Sequence, residues 1–295
     1  MNETESNEKL PAIKQGWLRA LLMLLAFLLG TLIFGGIAAV VIAMATGTSL
    51  MELQTIMENP DKLGILIITQ LVSMFVAFGV IWIFRRYIDR KSIGSMGFQL
   101  KGKTMDLVYG FLVGFVLMLV GFLILKLVNN LEVVAIAYDS EVVWGGFFLF
   151  LIVAVIEEVI FRGYVLNNLM ESFKNKYLAL FISSLVFAIF HGLNPNLSLL
   201  GFVNLIVAGM ALGITYMHTK NLWFPIFLHL SWNFFQGPIF GFEVSGLKLN
   251  SVIQQKVIGS DLITGGDFGF EGSILITVLL VIMIIVADRL IIEKA

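Results

Sequence analysis

The chain contains no cysteine. That excludes disulfides, a cysteine nucleophile and thiolate metal sites, and leaves the compartment unspecified. Charge is also scarce: 13% of the 295 residues are Asp, Glu, Lys or Arg, against about 25% in soluble domains. A net charge of −1 provides no bulk basicity and sets nucleic acid aside as a partner. The sequence shows no phosphate-binding glycine loop, no HExxH helix, and no internal repeat of the kind that marks inverted-repeat transporters. What fills the chain is apolar, at 59% hydrophobic residues. These proportions describe a polytopic membrane protein.

The expected fold class is all-α, with about eight transmembrane helices. A helix needs about 20 apolar residues to cross the hydrocarbon layer. Apolar runs lie at 17–44, 63–84, 105–128, 143–166, 177–193, 197–217, 222–238 and 272–290. The first run, from Trp17 to about Ala45, is far longer than the 7–15 residues of a cleavable signal core, so it reads as an uncleaved span. Basic residues gather on alternate sides: Lys9, Lys14 and Arg19 at the start of the first run, Arg85, Arg86, Arg90, Lys91, Lys101 and Lys103 after the second, Arg162, Lys174 and Lys176 at the end of the fourth, Lys220 after the sixth, and Arg289 and Lys294 at the end. Lys62, Lys126, Lys248 and Lys256 fall on the other side. This asymmetry puts both termini in the cytoplasm.

Three parts follow. Residues 1–142 form a cytoplasmic tail and three helices, 143–238 a core, and 239–295 an external loop with the last helix. The glycine-rich segment Thr264–Gly272 within 239–271 reads as a lip or flexible linker. The GxxxG pairs Gly110/Gly114 and Gly209/Gly213 suit close helix packing. Packing within the chain is the ordinary use, and homodimerisation the alternative.

The central feature is charge placed in oil. Residues 142–156 carry no charge, and Glu157, Glu158 and Arg162 follow. A charge at bilayer depth costs roughly 2.5–3.5 kcal/mol on insertion scales, so such residues face a cavity or a bundle interior. Two of the three histidines, His191 and His229, also lie in apolar runs; His218 sits in a turn beside Lys220 and reads as solvated.

Helical spacing sorts these groups, because positions i and i+4 share a face. Glu158 and Arg162 are so related, as are Phe187 and His191, and His229 and Asn233. Glu157 is rotated about 100° from Glu158. Glu158 is then the partner of Arg162, and Glu157 is free to face something else. At 1.5 Å per residue, Glu157 lies about 13 Å from Leu166, His229 about 10 Å from Leu222, Asn233 about 16 Å from Leu222 and His191 about 21 Å from Tyr177. These four are expected around one aqueous pocket open to the cytoplasm. A carboxylate and an imidazole sharing a water form a general base. A second imidazole and an amide can donate to an oxyanion. Glu157, His191 and His229 are acceptable zinc ligands, but no two histidines stand at i, i+4, and no cofactor is expected. The plainer alternative is a packing network with satisfied core histidines.

The patterns Glu157-Glu158-x-x-x-Arg162, Phe187-x-x-x-His191 and His229-x-x-x-Asn233 occur in that order. With them, residues 145–236 resemble the CAAX protease and bacteriocin-processing family, whose best-known members are type II CAAX prenyl endopeptidases. No motif position departs. The resemblance implies an eight-helix intramembrane endopeptidase of the glutamate type. It implies that Glu157 and His191 activate water, that His229 and Asn233 stabilise the oxyanion, and that Glu158, Arg162 and Phe187 organise the site. Eukaryotic members cut prenylated CAAX tails; bacterial relatives are linked to bacteriocin maturation, immunity, peptide signalling or scaffolding. The expected partners are the bilayer and a peptide or lipidated protein substrate, and the expected location is a bacterial plasma membrane. The rival readings are a catalytically silent scaffold or immunity factor, and an ion-coupled carrier.

Overall fold

A computed structural model describes residues 10–49, 51–52 and 63–292. Lys9, Lys62 and Lys294 of the basic-residue pattern lie outside the described residues. Helices stand at all eight expected places: α1 (Gly16–Thr46), α2 (Leu63–Ile83), α3 (Thr104–Leu127), α4 (Ser140–Glu158), α5 (Lys176–Phe190), α6 (Leu199–Thr219), α7 (Trp223–Phe234) and α8 (Ile274–Ile292). Three continue as π-helix: α2 through Phe84–Asp89, α7 through Phe235–Ile239, and α4 through Val159–Leu166 and then an α-helical turn, Asn167–Ser172. Five of the helices, α1, α2, α3, α4 and α6, are long and apolar enough to cross a bilayer, whereas α5 is shorter. Leu29, Leu32, Ile33 and Val41 of α1 are exposed, as an outer helix requires when its solvent is lipid. The fold is that of a helical, polytopic membrane protein.

Local chemistry sets the helix starts. Asp139 accepts from the backbone N–H groups of Glu141 and Val142, Asn175 from those of Tyr177 and Leu178, and Ser198 from that of Gly201. Each satisfies N–H groups that a first helical turn leaves unpaired. Both GxxxG pairs are consumed inside the chain. A methyl at Gly114 would sit 2.6 Å from the Leu228 carbonyl oxygen, so α3 and α7 touch backbone to backbone there. A methyl at Gly209 would lie 2.8 Å from Ser184 Cβ, which sets the approach of α6 to α5.

At the basic end, several cations are structural. Arg19 and Arg85 are buried around Asp89, donating to its two oxygens at 2.8 and 3.0 Å. Glu171 accepts from Arg19 at 2.6 Å and from Lys91 at 2.7 Å. Arg85 also donates to Ser95 Oγ. His218 differs from expectation too. Its Nε2 lies 2.7 Å from Asp288 Oδ1, and the Tyr177 hydroxyl donates to the same carboxylate at 3.1 Å. This cluster ties α5, α6 and α8 together.

The expected flexible linker is a folded cap. β1 (Leu131–Ile136) pairs antiparallel with β2 (Ile253–Val257), Leu131 opposite Val257 and Ile136 opposite Ile253, with an irregularity between Val133 and Ala135. This is a small departure from an all-α fold. The glycines of the segment serve tight turns. Gly269 has φ +98°, and a methyl there would run into the Glu243 carbonyl, so only glycine fits. Asn204 of α6 anchors the cap by donating from Nδ2 to the carbonyls of Glu271 and Ser273, both at 2.8 Å.

Candidate active site

α4, α5 and α7 bring Glu157, His191, His229 and Asn233 to one cavity of about 750 Å³. The difference in expected depth between Glu157 and His191 closes because α4 runs on to Ser172 instead of ending at Leu166. Counted from Ser172, Glu157 lies roughly 22 Å in, and His191 lies roughly 22 Å from Lys176. His191 itself follows the last turn of α5, at φ −94°, and is not inside the helix.

The two acids do different things. Glu158 is fully buried and accepts from Arg162 Nη1 at 2.7 Å and from His229 Nδ1 at 2.9 Å, both on Oε1. Arg162 also donates to the Gly209 carbonyl at 3.0 Å, and its guanidinium carbon stands 4.7 Å from the Phe187 ring centroid. The π-helical stretch that begins at Val159 carries Arg162; such irregular turns recur at functional sites. Phe187 meets the His191 ring at 4.4 Å and the His229 ring at 6.5 Å between centroids. One aromatic ring therefore touches the arginine and both imidazoles.

Glu157 faces the cavity. Its Oε2 lies 3.7 Å from His191 Nε2 and 3.9 Å from His229 Nε2, and it accepts no hydrogen bond among the described residues. His191 Nδ1 lies 2.8 Å from the Phe187 carbonyl oxygen. A carbonyl only accepts, so Nδ1 carries the proton, and Nε2 of the neutral ring presents a lone pair to the cavity. Glu157 Oε2 and His191 Nε2 are thus two acceptors, too far apart to bond directly and spaced for a water that donates to both. Asn233 lines the same cavity one helical turn beyond His229, and its amide makes no hydrogen bond to a described residue. Among the described residues, no group of three His, Asp or Glu is arranged to hold a metal ion.

The lining corrects one expectation. The cavity includes Asn194, Pro195, Ser245, Gly246, Leu247, Lys248 and Glu271, which belong to the end opposite the basic loops. Towards the basic end it is plugged, because Arg162, Gly163, Tyr164, Val165, Leu166 and Asn168 are all buried. The same cavity also reaches Phe27 of α1 and Gln70 and Ser73 of α2.

Sequence reasoning missed a third acid, Glu271. It is buried, lines the cavity from the cap, and accepts from Ser245 Oγ at 2.5 Å and from Gln236 Nε2 at 3.1 Å. Gln236 in turn accepts from Trp232 Nε1 at 2.8 Å. Burial pushes the Glu271 carboxyl above the ordinary carboxylate range, against the opposing pull of the Ser245 hydrogen bond and of the His191 and His229 rings when they are protonated. The sequence marks only its partner: Gln236 stands at i+7 from His229, on the face already marked by Asn233.

The fold and the cavity together define a class: a multi-pass membrane protein with a buried acid–imidazole–amide site. Residues 139–235 match the family model described as type II CAAX prenyl endopeptidase Rce1-like. This segment, about a third of the chain, carries all three motifs, and over it the resemblance read from the sequence holds. The match implies a membrane protease of the CAAX type. Comparison with curated proteins and with solved structures gives no match.

Proposed function

We propose that the chain is an intramembrane endopeptidase of the glutamate type. The observation that carries this reading is the spacing of Glu157 Oε2 and His191 Nε2, two cavity-facing acceptors 3.7 Å apart. A water donating to both loses a proton to that pair as its oxygen attacks the peptide carbonyl. The carbonyl oxygen becomes an oxyanion. Asn233 donates to it from the side-chain amide. His229, with its Nδ1–H on Glu158, donates from Nε2–H as an imidazolium. The C–N bond then breaks, and the proton held by the Glu157–His191 pair passes to the leaving amine. Glu158, Arg162 and Phe187 hold the histidines in place. No metal or cofactor takes part in these steps.

The substrate on this reading is a peptide or lipidated protein, of the CAAX type or a bacteriocin or signalling peptide, cut in a bacterial plasma membrane. With the basic end in the cytoplasm, both termini are cytoplasmic and the eight helices all span. The cavity mouth then lies on the outer face. A cysteine introduced at Lys248 tests the orientation without background, since the chain has none of its own. Labelling of intact cells by a membrane-impermeant maleimide is expected, and protection until lysis contradicts it.

The activity is tested by comparing protein termini by mass spectrometry in cells of the source organism expressing the wild type or Glu157→Ala at matched levels. Termini that appear only with the wild type support proteolysis. Identical termini, together with rescue of the deletion phenotype by Glu157→Ala, favour a silent scaffold or immunity factor.

A further inference from the structure

Glu271 is the buried cavity acid that the steps above leave without a task. Glu158 has a cation in Arg162, at 2.7 Å. The partners of Glu271 are neutral, the hydroxyl of Ser245 and the amide of Gln236. Burying a carboxylate without a cation is costly, and a simple cap does not need one. Two hydrogen bonds and the anchoring of its own backbone carbonyl by Asn204 hold the residue in one place. It is 7% exposed and lines the cavity shared with Glu157. The same lining holds Lys248, which forms no ion pair with Glu271, and a wall of apolar side chains that includes Phe150, Leu205, Leu212, Ile276 and Leu280.

We propose that Glu271 forms a subsite for a cationic group of the substrate, a lysine or arginine side chain in an otherwise apolar peptide segment. The inference rests on the endopeptidase reading for its setting, but the binding it describes needs no catalysis. A substrate ammonium or guanidinium placed against Glu271 supplies the missing counter-charge. The apolar walls take the neighbouring side chains, and the fixed separation of Glu271 from Glu157 sets the register of the basic residue relative to the scissile bond. The cap then contributes selectivity, and the membrane-embedded motifs contribute chemistry.

The test is binding to the full chain in nanodiscs. The protein carries Glu157→Gln, so that nothing is cut and Glu271 remains as a cavity acid that, among the described residues, forms no ion pair with His191, His229 or Lys248 of the same lining. The probes are fluorescein-labelled apolar peptides in which one lysine is moved along the sequence, each matched to the same peptide with norleucine. Lysine is expected to tighten binding by about 10–100-fold at one register, the range of a hydrogen bond to a charged group. The Glu157→Gln/Glu271→Gln protein is expected to lose that preference, because glutamine keeps the shape and the bonds to Ser245 and Gln236 but not the charge. Indistinguishable affinities for lysine and norleucine peptides at every register, or no binding of either, overturn the proposal. So does a preference that survives Glu271→Gln in a protein of unchanged thermal stability. Cleavage of the tightest peptides by the wild type is measured in parallel. Failure there counts against the endopeptidase reading and leaves the binding result standing.

Discussion

Arg162→Ala removes the cation that makes Glu158 tolerable. Arg162 and Glu158 are both buried, with 2.7 Å between Nη1 and Oε1. The substitution also deletes the bond to the Gly209 carbonyl and the contact with the Phe187 ring. Breaking a buried pair by removing one partner costs roughly 3–5 kcal/mol, chiefly because the other charge is left stranded. At about 2–4 °C per kcal/mol for a chain of this order, the midpoint of thermal unfolding in nanodiscs falls by roughly 6–20 °C. Glu157→Gln is expected to move the midpoint far less, because Glu157 faces the cavity and accepts no hydrogen bond from a described residue. The double variant Glu158→Gln/Arg162→Ala recovers part of the loss, since the stranded carboxylate is removed together with the arginine. Equal midpoints for Arg162→Ala and Glu157→Gln, or a double variant no better than Arg162→Ala, would refute the argument that this pair is held together by its own desolvation.

The other expectations are narrower. Asn233→Ala should lower kcat about 10²–10³-fold with KM nearly constant, as for a lost oxyanion donor; a change confined to KM excludes that role. Asp89→Ala strands Arg85 and leaves Arg19 with Glu171 alone, so its thermal midpoint should fall by an amount comparable to that of Arg162→Ala, and an unchanged midpoint contradicts the structural role of these cations. Because the Glu271 carboxyl is raised in the folded state, its contribution to stability is full below the ordinary carboxylate range and is lost as pH rises through the raised value. The wild type minus Glu271→Gln difference in thermal midpoint should therefore decline with rising pH over that window, and a flat difference rules the shift out.

Much of the site is visible in the sequence because it is written in helical steps. Glu158 and Arg162, Phe187 and His191, and His229 and Asn233 are each four residues apart, and such pairs meet on a helix whatever surrounds it. The separation of roles between Glu157 and Glu158 follows from the same geometry. Other features are set by tertiary contacts that leave no periodic trace. Apolarity ends near Leu166, yet α4 continues, because Asn168 is buried and donates to the Tyr164 carbonyl at 3.0 Å. The cap reads as a linker because its glycines are spent on close approaches such as that of Gly269 to Glu243. Glu271 is hidden for the same reason: nothing near it in the sequence shows that residues 204, 236 and 245 converge on it. The direction of the cavity mouth depends on which end of α4 is plugged, and only packing decides that.

One water shared by Glu157 and His191 is the centre of the proposed mechanism. On a substrate found by the comparison of termini, single-turnover rates of Glu157→Gln, His191→Ala and the double variant test this most directly. Groups that act as a unit are strongly non-additive, with losses in kcat that do not multiply. Each single variant is predicted to lose about 10³-fold or more, and the double variant to match the worse of the two within a few-fold. Wild-type rates in either single variant, or a double variant whose loss is the product of the two, would contradict the shared-water mechanism.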